Sequence, residues 1–192
     1  MPSSLLLAAT LVASAAGEPR LLERILAVVD GKPILLSEAR LTEALKGVPR
    51  REAVEALVDE SLMLREARQI PQSEPRPEEI ETARRALLAL WPEAAGPAPE
   101  AALREVAHRQ LRILKYIEFR FRAQARVEDQ ALREAYDGEI RGREGDPGYE
   151  AARDALRERL EARRLDAQVE AWVKELRSTA EIRYNPLGAS AE

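Results

Sequence analysis

The sequence predicts a mainly α-helical domain with a small N-terminal β-hairpin that is joined by a C-terminal strand. Three observations predict this fold: two β-rich runs around Asp30-Gly31, apolar residues at helical spacing between residues 37 and 178, and a short alternating segment at residues 180–184. The chain has 192 residues, which is enough for one domain of ordinary size. We therefore expect residues 17–192 to form a single domain.

The composition excludes several classes of function. Charged residues make up 33% of the chain but nearly cancel to a net charge of −4, so we expect no nucleic-acid partner. The absence of cysteine excludes disulfides, thiolate metal sites and cysteine nucleophiles. The sequence has neither a glycine-rich phosphate loop nor metal-ligand spacing, and we expect no cofactor and no metal.

The first residues resemble a leader. Residues 5–16 read LLLAATLVASAA, which is too short to span a bilayer as a helix and contains the small-x-small pattern Ala13-Ser14-Ala15. No Lys or Arg precedes this run. We expect residues 1–16 to be a cleaved signal peptide, with a disordered or membrane-associated leader as the alternative. No later segment is apolar enough to cross a membrane, so we expect no stable membrane insertion.

Residues 25–36 predict a β-hairpin with a two-residue type I′ turn at Asp30-Gly31. In this register Pro33 faces Val28 as a non-hydrogen-bonded pair, which makes the second strand an edge strand. We expect residues 180–184 to pair with the free side of residues 25–29. A frayed tail is the alternative.

The chain between these strands is predicted to be helical. Ser37 is the expected N-cap of a helix that ends near residue 46. Further helices are expected at residues 50–69, 77–91, 100–125, 128–137 and 149–178, with a Gly- and charge-rich linker at residues 138–148. Two buried faces matter later: the third helix (residues 77–91) should bury Ile80, Ala83, Leu87 and Leu90, and the fourth (100–125) should bury Leu103, Val106, Ala107, Leu114, Ile117 and Phe121.

The last helix has an apolar stripe that changes sides. Tyr149, Ala152, Leu156 and Leu160 share one face, whereas Leu165, Val169, Trp172, Val173 and Leu176 point nearly the opposite way. We expect this helix either to pack on two different bodies or to bend near Arg163-Arg164.

Three blocks of sequence resemble SurA and related periplasmic chaperones. Residues 25–34 with Ser37-Glu38 are similar to the opening hairpin of that family. Residues 53–63 and the segment Pro77-Glu78-Glu79-Ile80 are similar to its next helices, and residues 171–177 with Ala180 and Ile182 are similar to its closing helix and strand. In that family, N- and C-terminal segments build one chaperone domain, with parvulin-type prolyl-isomerase domains between them.

The resemblance implies a periplasmic, ATP-independent chaperone that binds unfolded polypeptides such as outer-membrane protein precursors. Only a short link stands between residues 129 and 149, and a domain needs at least ~50 residues, so isomerase activity is not expected. A dedicated assembly subunit for one partner is the alternative function. A degenerate prolyl isomerase is a third hypothesis, which we favour least.

Few residues suggest chemistry. His108 is the only histidine and lies 140° from Leu103 on the fourth helix, so we expect a solvated histidine at the edge of the core. Tyr116 and Phe119 fall on the outer side of that helix and are the first candidates for peptide binding. The other candidates are Trp91, Trp172, Leu176 and the edge strand at Ile34, with core packing as the alternative for Trp172 and Leu176.

Overall fold

Three antiparallel strands join the N-terminal and C-terminal parts of the described chain in the computed structural model, which describes residues 23–92, 96 and 99–185. The predicted leader at residues 1–16 lies outside these residues. The strands are β1 (Ile25–Val29), β2 (Lys32–Leu35) and β3 (Ile182–Tyr184), in the order β2-β1-β3. The mainly α fold with a small sheet is therefore confirmed.

The hairpin has the predicted turn. Asp30 and Gly31 both have positive φ, 47° and 79°, as a type I′ turn requires. Val28 faces Pro33 in the register between β1 and β2, and β2 is an edge strand, as predicted.

The predicted pairing of the C-terminal strand with β1 is confirmed. Val29 faces Ile182 across the ladder. The Asp30 N–H donates to the Glu181 carbonyl at 2.9 Å, and the Glu181 N–H donates to Asp30 Oδ1 at 2.9 Å. The strand is shorter than expected, since it begins at Ile182 rather than at residue 180.

Six α-helices and one 3-10 turn connect the strands in the described part of the chain. They are α1 (Leu36–Lys46), α2 (Arg50–Ala67), the 3-10 turn (Pro71–Ser73), α3 (Pro77–Ala89), α4 (Glu100–Ala125), α5 (Asp129–Glu139) and α6 (Tyr149–Thr179). The predicted bounds agree within about two residues, which is the usual uncertainty of a helix end.

The N-cap of α1 is Leu35, so the prediction of Ser37 is wrong. Two carboxylates replace the expected serine cap. Glu38 Oε2 accepts the Leu35 N–H at 3.0 Å, and Glu23 Oε1 accepts the Ser37 N–H at 3.2 Å. The Ser37 hydroxyl donates to Glu23 Oε2 at 2.6 Å. Because these side chains satisfy the exposed N–H groups, the helix can begin at Leu36.

The main core lies between the sheet, α1, α2, α4 and the second half of α6. The six apolar residues predicted to line one face of α2 are all buried, and all but the first belong to this core: Ala53, Val54, Leu57, Val58, Leu62 and Ala67. Leu26, Val29 and Ile34 of the sheet belong to the same cluster.

The predicted stripe of α4 is wrong at Leu114, which is 53% exposed, whereas Ile113 and Tyr116 are buried. Successive helical residues differ by 100° in direction, so Ile113 points about a quarter turn away from Leu114. On that side Trp172 of α6 stacks on Tyr116, with ring centroids 5.2 Å apart. The position of α6 therefore decides which side of α4 is buried.

Helix α6 packs against two separate hydrophobic clusters, which is one of the two predicted alternatives. Its second half joins the main core through Leu165, Val169, Trp172 and Leu176. Its first half joins α5 in a smaller cluster with Val127, Leu132, Tyr136, Ala152 and Leu156. The helix is continuous from Tyr149 to Thr179, so one rod connects both clusters.

A polar network fixes the C-terminal end of α6 against α2. Arg177 pairs with Asp59 and with Glu55, whose Oε2 lies 2.9 Å from Arg177 Nη1. The Tyr184 hydroxyl of β3 donates to the same Glu55 oxygen at 2.9 Å. The hydrogen bond to Asp59 raises the pKa of Arg177 above its ordinary value. The network therefore joins α2, α6 and β3 at one point.

The loop between α5 and α6 is closed by Asp146. Its Oδ1 accepts the Tyr136 hydroxyl at 2.7 Å and the Gly148 N–H at 2.9 Å, and its Oδ2 accepts the Gly142 N–H at 3.0 Å. These bonds hold the pKa of Asp146 below its ordinary value. One carboxylate thus shapes most of the predicted linker.

Replacing Trp172 should destabilise the whole fold. Trp172 is buried between Tyr116 and Phe121, so Trp172→Ala removes the contact that joins α6 to α4. We expect the free energy of unfolding to fall by about 3–5 kcal/mol in urea denaturation. Phe119→Ala is the matched control, because Phe119 is 65% exposed and should change stability by less than about 0.5 kcal/mol. Equal effects of the two substitutions would contradict the structure.

Glu79 should make stability depend on acid pH. Its carboxylate accepts from Lys115 Nζ at 2.7 Å and from the Arg76 N–H at 2.7 Å, and these bonds lower its pKa from 4.5 to about 2. A carboxyl group whose pKa is lower in the folded than in the unfolded state stabilises the fold at pH values above its unfolded pKa. This contribution to stability is lost as the pH falls toward the folded pKa.

The stability advantage of the native protein over Glu79→Gln should therefore be full at pH 6 and shrink steadily from pH 4.5 to pH 3. Urea denaturation across this range measures it. Glu78→Gln is the control, since Glu78 is a well-exposed neighbour in the same helical turn. A pH-independent difference for Glu79→Gln would exclude the carboxylate as its source.

Candidate functional site

Two adjoining hollows on the described protein together form what we call the groove, and each hollow is one end of it. The end that we call the apolar end lies among α1, α2, α3 and α4 and has a volume of about 200 Å³. Its apolar wall consists of Leu45, Ala56, Leu57, Leu87, Leu90 and Val106. Leu90 is 67% exposed, so the prediction that it is buried is wrong. Helix α3 ends at Ala89, and the side chain that follows lies at the mouth of the groove rather than in the core.

The other end, which we call the β2 end, lies beside the edge strand. It has a volume of about 140 Å³ and is lined by Lys32, Pro33 and Ile34 of β2, with Glu38, Ser61, Leu64 and Arg68. Both ends share Leu57, Glu60 and Arg109. The two ends therefore adjoin at these three residues.

An ion pair stands where the two ends meet. Arg109 Nε lies 2.6 Å from Glu60 Oε1, and Arg109 Nη1 lies 3.9 Å from Glu38 Oε1. The Arg109 and Glu60 side chains are only 22% and 16% exposed, so water screens this pair less than it screens the other ion pairs of the surface. The pair holds α4 against α2 at the centre of the groove.

The outer edge of β2 offers no free N–H donor at two successive outward positions. Pro33 has no N–H, and the outward-facing Leu35 N–H is bonded to Glu38. An extended peptide that adds to a sheet needs donors as well as acceptors from the edge. The edge strand is thus a poor template for an added strand.

Three of the predicted binding residues lie in the core. Tyr116, Trp172 and Leu176 are all buried in the main cluster. The prediction that Tyr116 faces outward is wrong, because Trp172 stacks on it and the Arg120 guanidinium donates to its hydroxyl at 2.7 Å. Helix propensity could not reveal this contact, since it joins residues 56 positions apart in the chain.

The other three predicted residues lie in different places. Ile34 is buried but lines the β2 end of the groove. Phe119 is exposed on α4, away from the groove. Trp91 is half-buried after α3, where its Nε1 donates to the Gly96 carbonyl at 2.9 Å. The structure therefore does not bring Trp91, Tyr116 and Phe119 together on one open surface.

Sequence reasoning missed the residues that form the groove. Leu87 and Leu90 were assigned to a buried face, and Leu45, Arg109 and Arg68 carried no pattern that separated them from an ordinary helix surface. The only sequence signal near the groove was Pro33, which marked β2 as an edge.

His108 belongs to a set of polar contacts that join α4 to the loop before α3. His108 is half-buried, and its Nε2 lies 2.8 Å from Glu74 Oε1. That hydrogen bond, helped by Arg112, lowers the pKa of Glu74. The described residues contain no group of three His, Cys, Asp or Glu side chains that could hold a metal ion. His108 and Arg112 thus fasten the loop after the 3-10 turn to α4.

A second cleft of about 420 Å³ lies where the described chain ends. It is lined by Leu26, Arg51, Val54, Glu55, Tyr184 and Asn185. Asn185 is fixed there, because its Nδ2 donates to the Ile25 carbonyl at 2.9 Å.

The fold and groove define a mainly helical protein with a small antiparallel sheet and an open, partly apolar surface groove. No protein-family model matches the sequence, and comparison with curated proteins gives no significant match. No helix in the described part of the chain has both the length and the apolarity needed to cross a membrane.

Removing the charge of Arg109 should leave Glu60 without its partner in a poorly hydrated position. We expect Arg109→Met to lower the free energy of unfolding by about 2 kcal/mol, measured by urea denaturation. Adding Glu60→Gln should restore part of that loss, since no unpaired charge remains. The control is Arg122→Met, which breaks an exposed pair with Glu118 and should change stability by less than about 0.5 kcal/mol. A double variant less stable than Arg109→Met would contradict this explanation.

Proposed function

We propose that this protein is an exported, ATP-independent chaperone that binds unfolded or extended polypeptides without catalysing a reaction. Outer-membrane protein precursors are the proposed clients, and the periplasm is the proposed location. The observation that carries the proposal is the open groove, which has an apolar wall at one end and an edge strand at the other.

Each end of the groove, taken alone, is smaller than an ordinary small-molecule site. Small-molecule and cofactor sites usually have volumes of about 300–1,000 Å³. The two ends measure about 200 and 140 Å³ and are open to solvent. Each end is large enough for one or two side chains, and a polypeptide that lies across the surface can place a residue in each.

The lining of the apolar end fits reversible binding to many sequences. Its wall is formed mainly by leucine and valine side chains, and the hydrophobic contacts that these make do not depend on direction. Thr42, Lys46 and Gln110 form a polar rim. A shallow site of this kind recognises apolar character rather than one particular residue, which is the property a chaperone of unfolded chains requires.

The resemblance to the SurA family supports the same proposal. It implies one domain built from both ends of the chain, and β3 does pair with β1. Between α5 and α6 only residues 140–148 are available, which is far fewer than the ~50 residues that an isomerase domain needs. We therefore propose a chaperone without prolyl-isomerase activity. The export step rests on the leader-like residues 1–16.

The protein should suppress aggregation of an unfolded outer-membrane β-barrel protein at near-stoichiometric ratios. Light scattering after dilution of the barrel from urea measures this. Leu90→Asp places a charge at the mouth of the apolar end and should remove most of the suppression. Leu114→Asp is the matched control, since Leu114 is an exposed leucine outside the groove and its replacement should have no effect.

Unchanged aggregation, together with no crosslinking of client to residues of the groove, would exclude the chaperone proposal. Affinity purification separates it from the alternative of a dedicated assembly subunit, because one dominant partner favours that alternative and many unrelated clients favour the chaperone. Turnover in a proline-isomerisation assay would contradict the proposed absence of enzymatic activity.

A further inference from the structure

Two cations at the β2 end form no salt bridge with the described residues. Lys32 lies at the start of the edge strand, and Arg68 directly follows α2. Arg68 contributes to the field at Glu74, but the carboxylate oxygens of Glu74 are already bonded to His108 and Arg112. Other described cations, such as Arg40 and Lys174, also form no salt bridge, but among the cations that line the β2 end this holds for Lys32 and Arg68 and not for Arg109.

The acidic groups of the β2 end already have partners. Glu60 is paired with Arg109, and Glu38 accepts the Leu35 N–H. The lining therefore contains three cations, Lys32, Arg68 and Arg109, against two carboxylates, Glu38 and Glu60. The unbalanced positive charge lies on the two side chains that have no salt bridge, so the complementary ligand is an anion.

The position of these cations indicates which class of ligand supplies the anion. The β2 end adjoins the apolar end at Leu57 and Glu60, so one extended segment can reach both. The outward positions of β2 offer no N–H donor, and Lys32 and Arg68 are the cationic donors at this end that have no salt bridge.

We propose that the groove prefers extended segments in which an apolar side chain is followed or preceded within a few residues by Asp or Glu. The apolar side chain lies against Leu87 and Leu90, and the carboxylate lies between Lys32 and Arg68. This inference rests on the proposed function and specifies the class of segment that the groove selects.

Binding of short fluorescent peptides tests the preference. The peptides are acetylated and amidated, so that side chains carry the only carboxylates, and each pairs one Phe or Leu with Glu at two to five residues' distance. The matched peptides have Gln in place of Glu. We expect the acidic peptides to bind about fivefold more tightly at low salt, with the difference shrinking in 0.5 M salt.

The variant Lys32→Gln/Arg68→Gln should abolish the difference in affinity between the Glu and Gln peptides. The matched control is Arg40→Gln/Lys174→Gln. Arg40 lies 200° around α1 from Glu38, Lys174 is exposed on α6, and neither lines the groove. This control should keep the preference, and thermal unfolding establishes that both variants fold.

The outcomes separate the two proposals. Equal affinity for Glu and Gln peptides, or a preference that survives in Lys32→Gln/Arg68→Gln, overturns the charge inference and leaves the chaperone proposal intact. Failure of every peptide to bind, together with unchanged aggregation of the β-barrel client, overturns both. Tighter binding of the same peptides only when their C-terminus is a free carboxylate would assign the cations to chain ends instead.

Discussion

The fold depends on one strand that has partners from both ends of the chain. β1 pairs with β2 across a two-residue turn and with β3 more than 150 residues later. The second pairing is entropically expensive to form, because it closes a very long loop. Trp172 and the Arg177 network compensate by fixing α6 on α4 and α2, which leaves β3 directly beside β1. The groove lies against the sheet, α1 and α2.

The two ends of the groove differ in the kind of contact that they offer to a ligand. Its apolar end offers leucine side chains, whose apolar contacts are not directional. Its β2 end offers charged side chains beside a strand edge that lacks free N–H donors. Arg109 and Glu60 lie between the two and keep α2 and α4 at a fixed separation. A polypeptide of the proposed class would be held there mainly through its side chains. Binding of this kind is weak for each contact, and it does not require the bound chain to adopt a strand.

The sequence predicted what local chemistry dictates. The turn at Asp30-Gly31, the edge position of β2 and most helix bounds follow from turn residues, proline and periodicity, and even the pairing of β3 followed from the unfilled side of β1. The groove did not follow, because burial on α4 depends on helices that are distant in sequence. Tyr116 is buried since Trp172 covers it, and Leu114 is exposed since no described residue covers it. The start of α1 was missed because two carboxylates replace the expected serine cap.

The edge of β2 also bears on how copies of the protein meet one another. Exposed sheet edges of neighbouring molecules commonly pair with each other through backbone hydrogen bonds, which is a route to fibrils and precipitates. Pro33 removes one donor from this edge and Glu38 occupies the next, while the opposite edge, β3, is only three residues long. Strand-to-strand stacking of identical molecules therefore finds few hydrogen bonds at either margin of the sheet. The same two residues that border the groove thus leave few free N–H groups on this edge for a second copy to bind.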